Sequence, residues 1–165
     1  MLDAPQINVY NTGNMSHLLL PYYHQETDFS CGPACVQMVL EFFGVKKREE
    51  ELRQQMNARP RIGTSHQSLI RALRTHGLIC RARSDASLRD LDSALGKDHP
   101  AIINFIDPST NEGHYAVMTA TTKTAIITHD PWNGPNTTYE RKSFVQRWHN
   151  STSRSQQWML EVWNA

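Results

Sequence analysis

The sequence predicts an α+β domain in which helices come first and an antiparallel sheet follows. Three observations carry that prediction. Most helical signals fall before residue 96, in segments bounded by recognisable caps. Short apolar runs rich in β-branched and aromatic residues, separated by turn residues, occupy 100 to 162. No internal repeat, low-complexity tract or linker divides the 165 residues, a length suited to one domain that buries a core without disulfide staples. Helices segregated from an antiparallel sheet pack as two lobes, and ligand clefts form at such junctions.

Residues 1–16 are polar and read as a loosely held N-terminal arm, leaving 17–165 as the single domain. Leu18 to Tyr23 reads as a short strand or an extended entry into the Cys31 loop. In Cys31-Gly32-Pro33-Ala34-Cys35 the Gly and Pro belong to a loop and the first turn of a helix, because Pro lacks an N–H that the helix start does not need. The helix runs from about 32 to 43 and closes on Gly44 as a left-handed cap. Gln37 and Glu41 are its few polar members, so it is expected to be buried centrally. A second helix is predicted from Arg48 to Met56, and a third from an N-cap at Ser65 through Leu69, Ile70 and Leu73 to Gly77. Leu78 to Ala82 reads as a strand. Leu88, Leu91 and Leu95 share one face of a short helix from Ser87 to Leu95. Strands are expected at Pro100–Ile106, His114–Thr121, Ala125–His129 and Trp158–Val162. Turns at Asp107-Pro108-Ser109 and at Asp130 to Gly134 punctuate them, and a helix carrying Phe144 and Trp148 precedes the last.

Lys and Arg number 17 against 16 Asp and Glu, a formal net charge of +1, which gives no bulk electrostatic reason to expect nucleic acid or an anionic membrane as partner. The cysteines, Cys31, Cys35 and Cys80, are odd in number. Cys31 and Cys35 lie four apart on one helix, where disulfide geometry is poor, so a reducing compartment is expected. The N-terminus shows no signal peptide, and no apolar run approaches the ~20 residues of a membrane span. The expected location is the cytoplasm, with any export through a signal-less system. No cofactor is expected. A zinc site built from Cys31, Cys35 and a histidine lacks the paired spacing of zinc ligands.

Cys31 is the candidate nucleophile. At a helix N-terminus, unpaired N–H groups and the helix dipole favour an anion, and a thiolate is one. Such a nucleophile needs a base, a group that orients the base, and donors for the oxyanion formed on attack. His114 opens a strand and Asp130 closes the next; if the two pair in a meander, their side chains meet at one sheet edge. Gln25, six residues before Cys31, could fold back as an oxyanion donor with the Cys31 N–H. His129 adjoins Asp130, but adjacent strand residues face opposite sides, and Asp130 is the one assigned to the cleft. Cys35 and Cys80 are expected in the core, Cys35 alternatively as a resolving thiol. Trp132 either roofs the pair, lines the substrate cleft, or packs on the sheet. Tyr115, beside His114, is the other candidate substrate contact.

These residues resemble those of the papain-like bacteriocin-processing peptidases, which cleave leader peptides after a double glycine, and of the wider peptidase-like group around them. The matching pieces are Gln25, Asp28 to Ala34 opening a helix, Gly113-His114-Tyr115 on a strand, and Asp130-Pro131 with Gly134, covering most of the chain from Leu20 onward. The resemblance implies a papain-like cysteine peptidase fold, with Cys31 as nucleophile, His114 as base, Asp130 as orienter and Gln25 as oxyanion donor. The implied partner is a peptide or protein substrate; oligomeric state is unassigned. Two alternatives stand beside peptide hydrolysis. One is an acyltransferase, transpeptidase or deamidating effector using the same acyl-enzyme; the other is a non-catalytic peptide-binding module.

Overall fold

The structure is a computed structural model that describes residues 9–11, 16–150 and 156–165. Of the expected N-terminal arm, residues 1–8 and 12–15 lie outside the described residues. The rest of it pairs: β1 (Val9–Asn11) runs antiparallel to β2 (Ser16–Leu18). The chain then extends, without joining a ladder, to α1 (Cys31–Phe42).

α1 forms where the sequence predicts it, and its end shows why. Gly44 adopts φ +82, its N–H reaches Glu41 O at 2.9 Å, and Val45 N reaches Leu40 O at 2.9 Å, a Schellman closure that needs a residue without Cβ strain. Everything from Gly32 to Leu40 is buried, Gln37 included, whose Nε2 donates to Lys47 O at 3.0 Å. Each large apolar side chain there stabilises the fold by about 1.5–3 kcal/mol relative to exposure. α2 (Glu49–Gln55) and α3 (His66–Thr75) pack on α1. Ser65 caps α3 by accepting from Ser68 N, and Gly77 (φ +84) closes it with the same pair of bonds as Gly44. β3 (Ile79–Arg83) leads to α4 (Leu88–Gly96), which starts with a reciprocal Ser87–Asp90 capping box.

The second half is a meander of β4 (Ala101–Ile106), β5 (Gly113–Thr121), β6 (Ala125–Asp130) and β7 (Gly134–Glu140), followed by α5 (Arg141–Arg147) and β8 (Met159–Trp163). β7 is not among the expected strands, and Trp148 stands just after its helix as the C-cap. All pairings are antiparallel, in the order β1-β2-β5-β4-β8-β3, with β6 and β7 branching from β5. β5 is the hub: α1 lies against it, and Ala116, Val117 and Met118 are fully buried. Cys35 and Cys80 are both free and sit in this core, where burial pushes the Cys35 thiol well above its usual range and Cys80 up to about 11. Among the described residues no helix is long and apolar enough to cross a membrane.

Candidate active site

Cys31 is the first residue of α1, half-buried at the junction of the helices and the sheet. Ser30 precedes it but does not cap the helix. Its hydroxyl turns back instead, accepting from Thr27 N (3.1 Å) and Thr27 Oγ1 (2.8 Å). The start of α1 therefore keeps its N–H groups free of a side-chain cap, an arrangement suited to a developing anion. The loop before Cys31 is tied down from two sides. Glu26 N donates to Oε2 of the buried Glu49 at 2.9 Å, and Gln25 N donates to Pro131 O at 2.9 Å.

His114 and Asp130 meet as the meander argument expects. Val117 pairs with His129, so Asp130 lies one step further along the ladder and His114 is its diagonal neighbour on the same face. His114 Nε2 and Asp130 Oδ1 are 2.7 Å apart, with the histidine almost fully buried and the aspartate completely so. That leaves Nδ1 free of the aspartate, and Cys31 stands close enough to His114 to act on its proton affinity. Burial alone would depress the His114 pKa. The bonds and charges of Asp130 and Cys31 more than reverse this and raise it to about 10. For Asp130, burial pushes up while the His114 cation and the N–H groups of Asn133 and Trp132 pull harder, holding the carboxyl at about 2.

Asp130 is better supplied with donors than the sequence indicates. Oδ1 also accepts from Trp132 N and Asn133 N, each at 2.9 Å; Oδ2 accepts from Tyr139 Oη at 2.9 Å and Asn133 Nδ2 at 3.2 Å. Tyr22 donates to the Asp130 carbonyl at 3.0 Å. Tyr139, Tyr22 and Glu49 go unnoticed in the sequence because each reaches the site from an element whose register only the fold reveals. Asn133 and Asp107 did carry a signal, since each lies in one of the two Asp-Pro turns.

Gln25 is buried beside these groups. Its Nε2 donates one hydrogen to Thr27 O at 2.6 Å and retains a second. His129 faces elsewhere: Nε2 donates to Leu20 O (3.0 Å) and Nδ1 accepts from Asn136 N (3.3 Å), which fixes a neutral tautomer. Trp132 is 44% exposed and lies 6.0 Å, centroid to centroid, from the exposed ring of His24. Tyr115 is buried; its hydroxyl bridges His66 Nδ1 (2.6 Å) and the Thr64 carbonyl (3.2 Å). Burial drives the His66 pKa to about 4, so this ring is neutral.

Comparison with known proteins places the chain. The family model of the peptidase C39 family matches residues 20–153. A search of curated proteins returns no match. Among solved structures, the chain is similar to the peptidase domain of Streptococcus ComA, a bi-functional ABC transporter involved in a quorum-sensing pathway. That similarity has 20% identity and a TM-score of 0.71 over 87% of this chain and 98% of that one. It is also similar to a double glycine motif protease from an AMS/PCAT transporter, solved in complex with the leader peptide. Identity there is 20% and the TM-score 0.72, over 97% of this chain and 100% of that one. These likenesses show the fold, that of papain-like peptidase domains, and the family match agrees with the resemblance carried by Gln25, Cys31, His114 and Asp130. The match spans most of the sequence, and the chain belongs to the peptidase C39 family of papain-like cysteine peptidases.

Proposed function

We propose that the protein hydrolyses a peptide bond through a Cys31–His114–Asp130 triad with Gln25 as oxyanion donor. The observation that carries this reading is the buried His114–Asp130 pair, close to a cysteine at an uncapped helix start. His114 takes the thiol proton, and the thiolate adds to the substrate carbonyl. The oxyanion is held by the Cys31 N–H and the spare hydrogen of Gln25 Nε2. The imidazolium then protonates the amine, the C–N bond breaks, and a thioester remains on Cys31. Water, losing a proton to His114, attacks the thioester and releases the carboxylic acid together with the thiol. Asp130 holds the ring in orientation throughout and stabilises its cation. Trp132 supplies exposed aromatic surface for substrate, and Tyr115 builds the inner wall by bracing Thr64 beside Gly32. The neighbour bound to a leader peptide supports a peptide as the substrate class.

The test is turnover of a peptide library that includes double-glycine sequences, read by mass spectrometry. Cys31→Ala is expected to abolish cleavage with an unchanged circular dichroism spectrum. Gln25→Ala should retain a residue of activity, lower by about 10²–10³ in kcat. Undiminished cleavage by the Cys31→Ala protein would end the proposal.

A further inference from the structure

The triad leaves unused a buried carboxylate that lies close beside it. Asp107 follows β4, two residues beyond Phe105, the cross-strand partner of His114. Residues two apart share a sheet face, and the Phe105 ring meets the His114 ring edge-on at 5.8 Å, so Asp107 continues the His114 side of the ladder. Diagonal neighbours across a ladder stand about 7–8 Å apart. Asp107 is 1% exposed. It accepts from Ser109 N (3.0 Å), Ser109 Oγ (2.8 Å), Thr110 Oγ1 (3.4 Å) and, at both oxygens, Asn133 Nδ2 (3.2 Å). Every one of these donors is neutral. The same Asn133 Nδ2 reaches Asp130 Oδ2 at 3.2 Å, and Asn133 Oδ1 accepts from Ser109 Oγ at 3.2 Å. One amide therefore joins two buried carboxylates without neutralising either, an expensive arrangement unless a nearby cation offsets it.

We propose that Asp107 is a positioning residue for the triad: through Asn133 it fixes Asp130, and its charge favours the imidazolium of His114 over the neutral ring. The proposal rests on the triad reading above. Among the described residues, the titratable groups acting on His114 are Cys31 from α1 and Asp130 from β6, with Tyr139 of β7 and Tyr22 reaching it through Asp130. Asp130 bonds Nε2 of the ring, and Asn133 ties Asp107 to that same carboxylate. Asp107 therefore acts on the imidazolium more strongly than on the thiolate, and the ion pair gains.

The experiment follows alkylation of Cys31 by iodoacetamide against pH, with the labelled cysteine identified by peptide mapping. In Asp107→Asn the half-maximal pH is expected to rise by about one unit, roughly tenfold less thiolate at a given acidic pH. Glu112→Gln, an exposed charge on the same hairpin, should leave it in place. Asp107→Ser repeats the loss of charge with a smaller side chain. A midpoint unchanged in folded Asp107→Asn or Asp107→Ser rejects the role of Asp107 while leaving the triad standing. A wild-type profile with no reactive thiol below neutrality rejects the ion pair itself. Failure of both variants to fold would make Asp107 purely structural and also overturn the proposal.

Discussion

The His114–Asp130 pair should be measurable as stability that appears only within a window of pH. The perturbation is a double-mutant cycle of Asp130→Asn and His114→Gln, which isolates their mutual interaction from the other bonds each makes. The Asp130 carboxyl is held at about 2 by His114 together with the Asn133 and Trp132 N–H groups, against burial, so the share of His114 alone is that of one hydrogen bond to a charged group, about 1.5–3 kcal/mol. The sign differs at the two ends. Asp130 has a depressed pKa, so its contribution is complete above about pH 4 and disappears as pH falls through about 2. His114 has a raised pKa, so its contribution is complete below about pH 6.5 and disappears as pH rises through about 10. The coupling is therefore expected to form a plateau between about pH 4 and 6.5 and to fall on both sides. Urea unfolding followed by fluorescence of the buried Trp148 and Trp158 reads it, as a midpoint change of about 1–2 M at pH 5.5. Equal coupling at pH 2 and pH 5.5, or a value at pH 5.5 under about 0.5 kcal/mol, would refute the buried ion pair.

Two further substitutions probe how the site is framed. In Gly32→Ala the new Cβ would stand 3.1 Å from Thr64 Cβ and Oγ1 and 3.3 Å from Leu69 Cδ1. The crowding should outweigh the gain in helix propensity, lowering stability by about 1–2 kcal/mol in thermal unfolding and reducing kcat by displacing the start of α1. Tyr139→Phe removes one donor from Asp130 Oδ2 and keeps the ring that packs on Phe105. Loss of that charge-assisted bond, about 1.5–3 kcal/mol, should raise the acidic limb of the pH–rate profile while KM stays unchanged. A change in KM alone would place Tyr139 against substrate instead.

The elements that the sequence makes legible are those whose ends are chemically marked. Gly44, Ser65 and Gly77 each perform the capping role their residue type suggests, so three helix boundaries could be read directly, while Ser87, read as the first residue of its helix, is the N-cap just before it. The His114–Asp130 meeting was accessible because one short turn separates their strands, which leaves the meander little freedom of register. β7 was not accessible. Gly134 to Glu140 has no fully buried residue, so it lacks the apolar alternation by which a strand is recognised, and Pro135 argues against one. With β7 missing, Tyr139 had no path to Asp130. β3 carries only Cys80 as a buried residue, and its pairing with β8 joins residues about eighty positions apart, a contact that local pattern cannot announce. The Asp107–Asn133 link fails for the same reason: both Asp-Pro turns are visible in the sequence, but their convergence follows only from how β4 and β6 flank β5.

The division of labour within the site follows from what surrounds each group. Cys31 cannot move relative to His114 unless α1 slides or rotates against β5, and either motion would expose Val36, Met38 and Leu40, all fully buried, at several kcal/mol in total. Apolar packing therefore sets the distance between sulfur and ring. The polar groups hold a different quantity. Asn133, Tyr139, Tyr22 and the Trp132 N–H contact Asp130, and through it they change how tightly His114 holds its proton. Substitutions in the core of α1 should consequently lower stability before they alter pH dependence, whereas substitutions around Asp130 should shift pH dependence in a protein that still folds. The two classes are separable because the polar contacts converge on Asp130, whereas the buried side chains of α1 hold the helix that carries Cys31.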